Sequence, residues 1–400
     1  MTDNRIVMPL SRRRFLQLST AAAAASTAPL IGVSGQAFAN EPDMPVKVGY
    51  MPITDATPLL VAHHNKLWEK QGLKVETPRM FRGWEQIVEA FLSGQVNVVH
   101  MLSPMTVYAR YGSKSPSKVV AWNHTDGSSL AVTVAHPINS LKDLAGTTVA
   151  IPFWYSIHNI VLQLLLRKEG VEPISDGTPS KSQVKLVVMA PSDMLPALAT
   201  GRVSGYIVAE PFVALAEVKK VGKVLRFTGD VWKNHACCVV QMHEYDLDKR
   251  PEWSQKVLNG LVEAQVWTRD NRDQAAHVLS QQSGNRYTPH RYEPLAKVLA
   301  PAASDTQFYQ DSGAVLHDEW HSHRIDFQPY PYPSYTEKLV ELMKQTVVKG
   351  NSDFLQKLDP AFVAKDLVDD RFVKHAIERV GGMSVFDQPE GYQREEVISA

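Results

Sequence analysis

The chain has 400 residues, with 42 basic and 42 acidic side chains and a formal net charge of zero. This balance argues against a nucleic-acid partner, which requires a clustered excess of Lys and Arg. The chain contains two cysteines, too few for a disulfide-stapled fold, and it is long enough for two domains.

The first 39 residues are predicted to be a twin-arginine export signal. Arg12, Arg13 and Arg14 precede Phe15 and Leu16, an alanine-rich run follows, and Ala37-Phe38-Ala39 is a small-x-small cleavage site. Cleavage near Ala39 removes four arginines and one aspartate, which leaves 38 basic and 41 acidic side chains and a net charge of −3. We therefore expect a mature protein that is exported in folded form and works in the periplasm.

Strand-like and helix-like segments alternate from residue 46 onward. Strands are predicted at 46–51, 73–77, 96–101 and 119–122, and helices at 58–71, 83–93 and 105–111. The same order repeats further on, with helices at 141–144, 157–168 and 194–200 and strands at 147–151, 184–188 and 203–208. This pattern predicts an α/β fold in which two lobes, each built on a parallel sheet, face one another across a cleft.

The last third of the chain is predicted to be mainly helical. Amphipathic helices are expected at 253–269, 274–281, 292–299 and 335–348, with a proline-rich extended connector at 327–335. A short helix and a mobile polar end are expected from residue 360. The predicted domains are a signal at 1–39, a discontinuous lobe 1 at 45–140 plus 235–345, lobe 2 at 141–234, and a helical tail at 346–400.

Polar and aromatic residues follow the predicted strands, where ligands of open α/β sheets bind. Thr54 and Asp55 precede a helix, so they either cap it or present its free N–H groups to an anion. Trp84 lies in the first turn of the next helix and offers either core packing or a binding surface. His100 ends a strand and Ser103 follows it, and each is either hydrogen-bonded structure or a ligand contact.

Four segments together resemble the solute-binding components of ABC importers. They are Gly49-Tyr50-Met51-Pro52-Ile53-Thr54-Asp55, His100-Met101-Leu102-Ser103-Pro104, Ser156-Ile157-His158 and Ala209-Glu210-Pro211-Phe212. The likeness runs from about Val46 to Glu244 and is greatest to the branch serving nitrate, bicarbonate, sulfonates, taurine and thiamine precursors.

This resemblance implies a type II periplasmic-binding fold whose lobes are joined by two crossing strands, near 130–152 and 232–241. It implies a monomeric receptor that carries a small-molecule ligand to an ABC permease and its ATPase, with no cofactor and no catalytic residue. The ligand-binding candidates, from the strand ends and the resemblance together, are Thr54, Asp55, Trp84, His100, Ser103, Trp154, Ser156, His158 and Glu210.

One departure leaves the ligand open. Anion binders of this family often carry a lysine on the returning strand where this chain has Cys238, and a neutral thiol supplies no fixed charge for a buried anion. A small anion such as nitrate and a larger aromatic or zwitterionic solute therefore both remain as interpretations, the latter held by residues such as Trp84 and Trp154.

An enzyme, a ligand sensor and a metal-binding protein are alternatives to the receptor. A pyrimidine synthase of thiamine biosynthesis shares the fold but depends on several cysteines, and a periplasmic ligand sensor is a further alternative. His317, His321 and His323 place imidazoles about one helical turn apart, yet the zincin pattern is absent, so no metal site is predicted there. Adjacent His63 and His64 point too far apart on a helix to share an ion.

Overall fold

The computed structural model describes residues 44–317 and 323–400; the predicted export signal and His321 lie outside these ranges. Within them, no helix combines the length and apolarity needed to cross a bilayer. The strands are β1 (Val48–Tyr50), β2 (Arg79–Met80), β3 (Val98–Leu102), β4 (Ser117–Trp122), β5 (Thr125–Asp126), β6 (Ser128–Thr133), β7 (Thr148–Ile151), β8 (Glu172–Ile174), β9 (Gln183–Val188), β10 (Gly205–Ala209), β11 (Gly222–Phe227), β12 (Cys238–His243) and β13 (Ile325–Asp326).

The helices lie between these strands and beyond them. They are α1 (Thr57–His64), α2 (Leu67–Lys70), α3 (Trp84–Leu92), α4 (Ser103–Val107), α5 (Ile157–Lys168), α6 (Pro191–Ala199), α7 (Phe212–Val218), α8 (Glu244–Lys249), α9 (Pro251–Asp270), α10 (Arg272–Leu279), α11 (Tyr292–Leu299), α12 (Ala303–Asp311), α13 (Pro333–Gln345), α14 (Asp353–Gln356), α15 (Pro360–Leu367) and α16 (Arg371–Val380). Short 3₁₀ turns include Thr54–Ala56 and Leu141–Leu144.

Two sheets confirm the predicted two-lobe α/β fold. The sheet of lobe 1 has the order β2-β1-β3-β12-β4, and the sheet of lobe 2 has the order β11-β6-β10-β7-β9-β8. Neither sheet is purely parallel. In lobe 1, β12 runs antiparallel to both β3 and β4, and in lobe 2, β6 runs antiparallel to both β10 and β11.

The two antiparallel strands are those that the chain enters directly from the other lobe. Residues 123–127, here the first crossing segment, join β4 to β6, and residues 228–237, the second crossing segment, join β11 to β12. The two segments are in direct contact, since a Cβ at Gly229 would lie 2.6 Å from the Asp126 carboxylate. The first crossing therefore precedes the predicted interval 130–152, because β6 already belongs to the second sheet; the predicted domain bounds themselves stay a prediction.

Several element boundaries differ from the sequence prediction. The single helix expected at 58–71 is split into α1 and α2, because Lys66 adopts a left-handed φ of 55°. The strand expected at 73–77 is reduced to one bridge between Val46 and Val75, and the ladder with β1 forms instead at the two residues of β2. Edge pairing of this kind depends on tertiary context more than on β propensity.

The C-terminal segment forms two helices and contacts the second crossing segment, whereas the sequence predicted a single short helix and a mobile polar end. Two helices, α15 and α16, follow residue 360, and the last residues then pair with the second crossing segment. The Ser399 amide donates to the Val231 carbonyl at 2.8 Å, and Trp232 Nε1 donates to Glu396 at 2.7 Å. Hydrogen bonds to a buried segment hold this end in place, which composition alone does not reveal.

Candidate functional site

The strand ends of the two lobes meet at the crossing segments. Thr54 lies just after β1, and both its amide and its hydroxyl donate to the carbonyl of Glu210, which follows β10 in the other lobe, at 2.9 and 3.1 Å. Both residues are buried. The lobes are thus in direct contact at the position where the sequence predicted a cleft.

An open groove of about 420 Å³ lies beside this contact. Lobe 1 contributes Arg82, which follows β2, and lobe 2 contributes Asp193 and Phe212, which follow β9 and β10. The remaining lining residues are Met51, Pro52, Met80, Pro191, Ser192 and Pro289. The groove is therefore built from the strand-end segments of both sheets, where a bound solute would contact both lobes.

Trp84 and His100 lie side by side in lobe 1, and each has a ring N–H group without a hydrogen-bond acceptor. Their ring centroids are 5.4 Å apart, and both side chains are buried. Burial lowers the pKa of His100 to about 3, so its ring is neutral, and because Nδ1 accepts from the Met51 amide at 3.4 Å the proton lies on Nε2. Among the described residues, neither His100 Nε2 nor Trp84 Nε1 has a hydrogen-bond partner. Buried donors without partners are rare, and a bound acceptor is one explanation for them.

His158 supplies a polar group from lobe 2. It lies in the first turn of α5, is 1 % exposed, and places Nε2 2.9 Å from Ser128 Oγ and 3.7 Å from Cys237 Sγ. Within the described chain its Nδ1 has no partner. His158 therefore joins the start of β6 to the end of the second crossing segment.

An ionic cluster lies at the crossing segments themselves. Asp55 Oδ2 is 2.9 Å from His124 Nε2, and both side chains are fully buried. Burial raises the pKa of Asp55 to about 6; for His124 the Asp55 charge outweighs burial and raises its pKa to about 10. Burial opposes ionisation of Cys237, yet the Cys238 thiol and His158 lower the Cys237 pKa well below its usual value.

Ser103, Ser156 and Trp154, which the sequence also predicted as ligand contacts, already have partners within the protein. Ser103 donates to the Ala236 carbonyl at 3.0 Å, and Ser156 caps α5 by accepting from the Asn159 amide at 3.1 Å. Trp154 is half-buried and packs against the apolar core of lobe 2. Their assignment as ligand contacts stays a prediction, and capping and packing account for the positions of these side chains.

Both carboxylate oxygens of Glu210 also have partners within the protein. Its Oε1 accepts from Ser129 Oγ at 3.1 Å and pairs with Arg324, and its Oε2 accepts from the Ala214 amide at 2.9 Å. The carboxylate thus anchors the start of α7 and neutralises a buried guanidinium. Its role as a ligand contact also stays a prediction, and both of its oxygens already have protein partners.

Sequence reasoning missed His124, Cys237 and Cys238 as a functional cluster. His124 lies two residues after the end of β4, so the strand-end rule that selected Ser103 and Thr54 would have selected it too. The sequence raises the two cysteines as a disulfide, as a substitute for lysine and in the synthase alternative, but it does not reveal that Asp55 and His124 lie beside them.

The other histidines raised by the sequence are placed apart from this cluster. His63 Nδ1 is 2.6 Å from the Tyr287 hydroxyl, and His64 is exposed. His317 Nδ1 lies 3.1 Å from the Asp230 carbonyl. None of these three histidines belongs to the group of side chains that could hold a metal ion among the described residues. That group is Asp55, His124, Cys237 and Cys238.

Comparisons with known proteins agree with this architecture. The model of the NMT1-like family matches residues 39–280. The chain is 25 % identical over 314 residues to the nitrate/nitrite binding protein NrtA of Nostoc, covering 68 % of this chain and 70 % of the relative. It is 27 % identical over 253 residues to the nitrate import ATP-binding protein NrtC of Synechococcus elongatus, covering 59 % of this chain and 37 % of the relative.

The fold is also found among solved structures. The periplasmic nitrate-binding protein NrtA from Synechocystis superposes with a TM-score of 0.68 at 17 % identity, covering 86 % of this chain and 91 % of that one. At this identity the likeness establishes the fold, and the arrangement of two lobes around a cleft is common to both chains.

Proposed function

This chain belongs to the NMT1-like family, and we propose that it is the extracytoplasmic solute-binding receptor of an ABC importer. The family match at residues 39–280 covers β1 to β12 and both crossing segments, and the names of the nitrate-binding relatives support a receptor role. The export signal predicted around Arg12, Arg13 and Arg14, with cleavage near Ala39, would deliver this receptor to the periplasm by the twin-arginine route. An ABC permease and its ATPase would receive the solute, in keeping with the NrtC relative.

The observation that carries this proposal is the pair of unpaired donors in lobe 1. Trp84 Nε1 and His100 Nε2 are buried N–H groups without an acceptor among the described residues. Neither side chain lines the groove between the lobes, but Met51 lines it and its amide donates to His100 at 3.4 Å. A solute that presents an oxyanion or carbonyl oxygen satisfies both donors. This requirement fits nitrate, sulfonates, taurine and the polar groups of thiamine precursors, and Arg82 at the groove adds attraction for an anion.

The charge of these groups limits the interactions that can hold the solute. Both donors are neutral, and Cys238 occupies the position at which related anion binders often have a lysine. Recognition thus depends on hydrogen-bond directionality, which favours a solute whose acceptor oxygens match the Trp84 and His100 N–H groups. His158 is the candidate contact from lobe 2. Contacts from both lobes would bias the protein toward a closed form, with the crossing segments as the hinge.

A thermal-shift screen of the purified mature protein tests this function. Nitrate, nitrite, bicarbonate, taurine, alkanesulfonates and thiamine precursors are compared at matched ionic strength. The cognate solute is expected to raise the melting temperature, since ligand at a hundred times its dissociation constant adds about 2.7 kcal/mol to the unfolding free energy. Recovery of the unchanged solute after denaturation completes the receptor assignment. If no solute shifts the melt, or if the bound solute is chemically converted, the receptor assignment is overturned.

A second candidate function, an enzyme with a cysteine nucleophile, is favoured by one observation. Cys237 has a lowered pKa and lies 3.7 Å from His158, which resembles an activated thiolate beside a base. The thiol is fully buried, so a substrate would reach it only after the lobes open. Chromatography of solute incubated with wild-type and Cys237→Ser protein separates the two functions, since only the enzyme yields product that the variant fails to form.

A further inference from the structure

Four side chains with different chemistry converge beside the crossing segments. Asp55, His124, Cys237 and Cys238 each offer one donor atom, and all four atoms lie within 4.8 Å of one another. Each side chain is completely buried. Two sulfurs, one imidazole nitrogen and one carboxylate oxygen rarely gather in an interior without a shared partner, because burial of ionisable groups is costly.

We propose that this cluster binds one zinc ion. With a Zn–S distance of about 2.3 Å, tetrahedral zinc holds two sulfurs about 3.8 Å apart. Nitrogen and oxygen ligands of the same ion lie about 3.3 Å apart. Donor atoms that already lie within 4.8 Å of one another reach this geometry by changes of about 1.5 Å or less, in which the Asp55–His124 pair at 2.9 Å moves slightly apart and the wider pairs move closer. Thiolate, imidazole and carboxylate are the ligands that zinc uses in proteins, whereas calcium and magnesium prefer oxygen ligands alone.

The backbone explains how two adjacent cysteines serve one ion. Successive side chains of a strand point to opposite faces, which would separate neighbouring thiols. Cys238 is the first residue of β12, but Cys237 is the last residue of the second crossing segment and lies outside the strand. The alternation of the strand therefore does not force the two thiols apart, and both reach the same pair of side chains.

The surroundings also suit a metal-bound thiolate. Ser128 Oγ donates to Cys237 Sγ at 3.7 Å, and His158 Nε2 lies 3.7 Å from the same sulfur. Outer hydrogen bonds of this type orient ligands and tune the metal. Four protein donors also close the coordination sphere, which is characteristic of structural rather than catalytic zinc.

The ion would join three parts of the hinge. Asp55 belongs to lobe 1, His124 to the first crossing segment, and the two cysteines to the second crossing segment and the start of β12. Zinc would therefore fix the crossing segments to lobe 1 and leave lobe 2 free to rotate. This inference does not depend on the identity of the transported solute.

Metal binding is tested on the wild-type mature protein without any solute. The reduced protein is loaded with Zn²⁺, freed of excess metal by gel filtration, and analysed by mass spectrometry for metal content; a parallel sample is loaded with Co²⁺ and examined by absorption spectroscopy. We expect one zinc per chain and an intense thiolate-to-cobalt charge-transfer band. Substoichiometric zinc, or a cobalt adduct without that band, overturns the proposal.

Variants locate the site. His124→Ala should weaken zinc binding by more than about tenfold, and Asp55→Asn, which keeps the side-chain shape, provides a second variant if the first does not fold. His277→Ala removes an exposed histidine of α10 and is the matched control, which should bind zinc as the wild type does. Equal zinc affinity in the Asp55, His124 and control variants would place the metal elsewhere and refute this assignment.

Discussion

Two pairs of buried strand-end residues, Trp84 and His100 in lobe 1 and Glu210 and Ser156 in lobe 2, are in opposite hydrogen-bonding states. In lobe 1, Trp84 and His100 keep N–H donors that no described residue accepts. In lobe 2, Glu210 and Ser156 occupy the equivalent strand ends, yet their oxygens are bound by Arg324, Ser129 and backbone amides. Residue type and position at a strand end therefore do not identify a ligand contact. The distinguishing property is whether the fold already satisfies the group.

Substitution of Glu210 is expected to have the largest effect. Glu210→Gln removes one of the two carboxylates that pair with the buried Arg324 guanidinium and leaves Glu217 as the other, so unfolding free energy should fall by about 1.5 to 3 kcal/mol. Chemical denaturation of the purified variant measures this loss. Glu341→Gln, which breaks an exposed pair with Lys338, is the control and should change stability by less than about 1 kcal/mol. A small effect at Glu210 would mean that lobe 2 is not internally satisfied.

Trp84→Phe is the corresponding change in lobe 1. The substitution removes one N–H that has no protein partner, so the loss of stability should be limited to the effect of the ring volume removed from a buried side chain. Solute affinity should fall by roughly tenfold to a hundredfold, as for a hydrogen bond to a charged acceptor. Calorimetric titration with the solute found in the thermal screen measures this loss.

The control for this change is Trp253→Phe, whose indole N–H donates to the Met44 carbonyl at 2.8 Å. That variant loses the same ring volume and a hydrogen bond as well, so it should lose about 1 kcal/mol more stability than Trp84→Phe and keep its affinity for the solute. The reverse pattern, with Trp84→Phe unstable and fully competent in binding, would contradict the distinction between the lobes.

His290 offers a smaller test at the boundary between the lobes, where its Nε2 lies 2.9 Å from the Pro52 carbonyl and its ring packs against Phe212. Burial lowers its pKa from 6.5 to about 4, so below pH 6.5 the unfolded chain binds a proton that the folded chain does not. Stability is therefore lost as pH falls, by about 1.2 kcal/mol from this residue between pH 7 and 5.5.

His290→Gln should make this part of the pH profile shallower by the same amount, while the exposed-site variant His277→Gln should leave it unchanged. Denaturation midpoints measured at several pH values decide between these outcomes. Equal slopes in all three proteins would show that His290 is not held neutral by its surroundings.

Local periodicity predicted much of the architecture. The helix at 157–168 is found with the same limits. The strands expected at 96–101 and 203–208 form one or two residues further along, as the buried strands β3 and β10, and each has one parallel and one antiparallel neighbour. These segments are long apolar runs whose pattern arises within the run itself. β6 and β12 overlap the crossing strands that the family resemblance implied near 130–152 and 232–241. Their antiparallel direction was not predicted, because it is set by the crossing segments and not by the sequence of the strands.

The sequence predicted those site residues whose positions depend on a single element and missed those brought together by the fold. The strand-end rule led to Trp84, His100 and His158, whose positions depend on a single strand or helix. It did not lead to the cluster around Cys237, because that cluster requires Asp55, His124 and both cysteines to meet across segments far apart in sequence. Nor could composition distinguish Glu210 from His100, since partners such as Arg324 become apparent only after folding.

The pairing of the C-terminal segment with the second crossing segment has a practical consequence. Trp232 lies in that segment, is fully buried, and donates to Glu396. A rotation of the lobes that alters residues 228–237 changes the polarity around this indole. Its intrinsic fluorescence, compared between wild type and Trp232→Phe, would thus act as a built-in optical reporter of solute capture, without any attached dye.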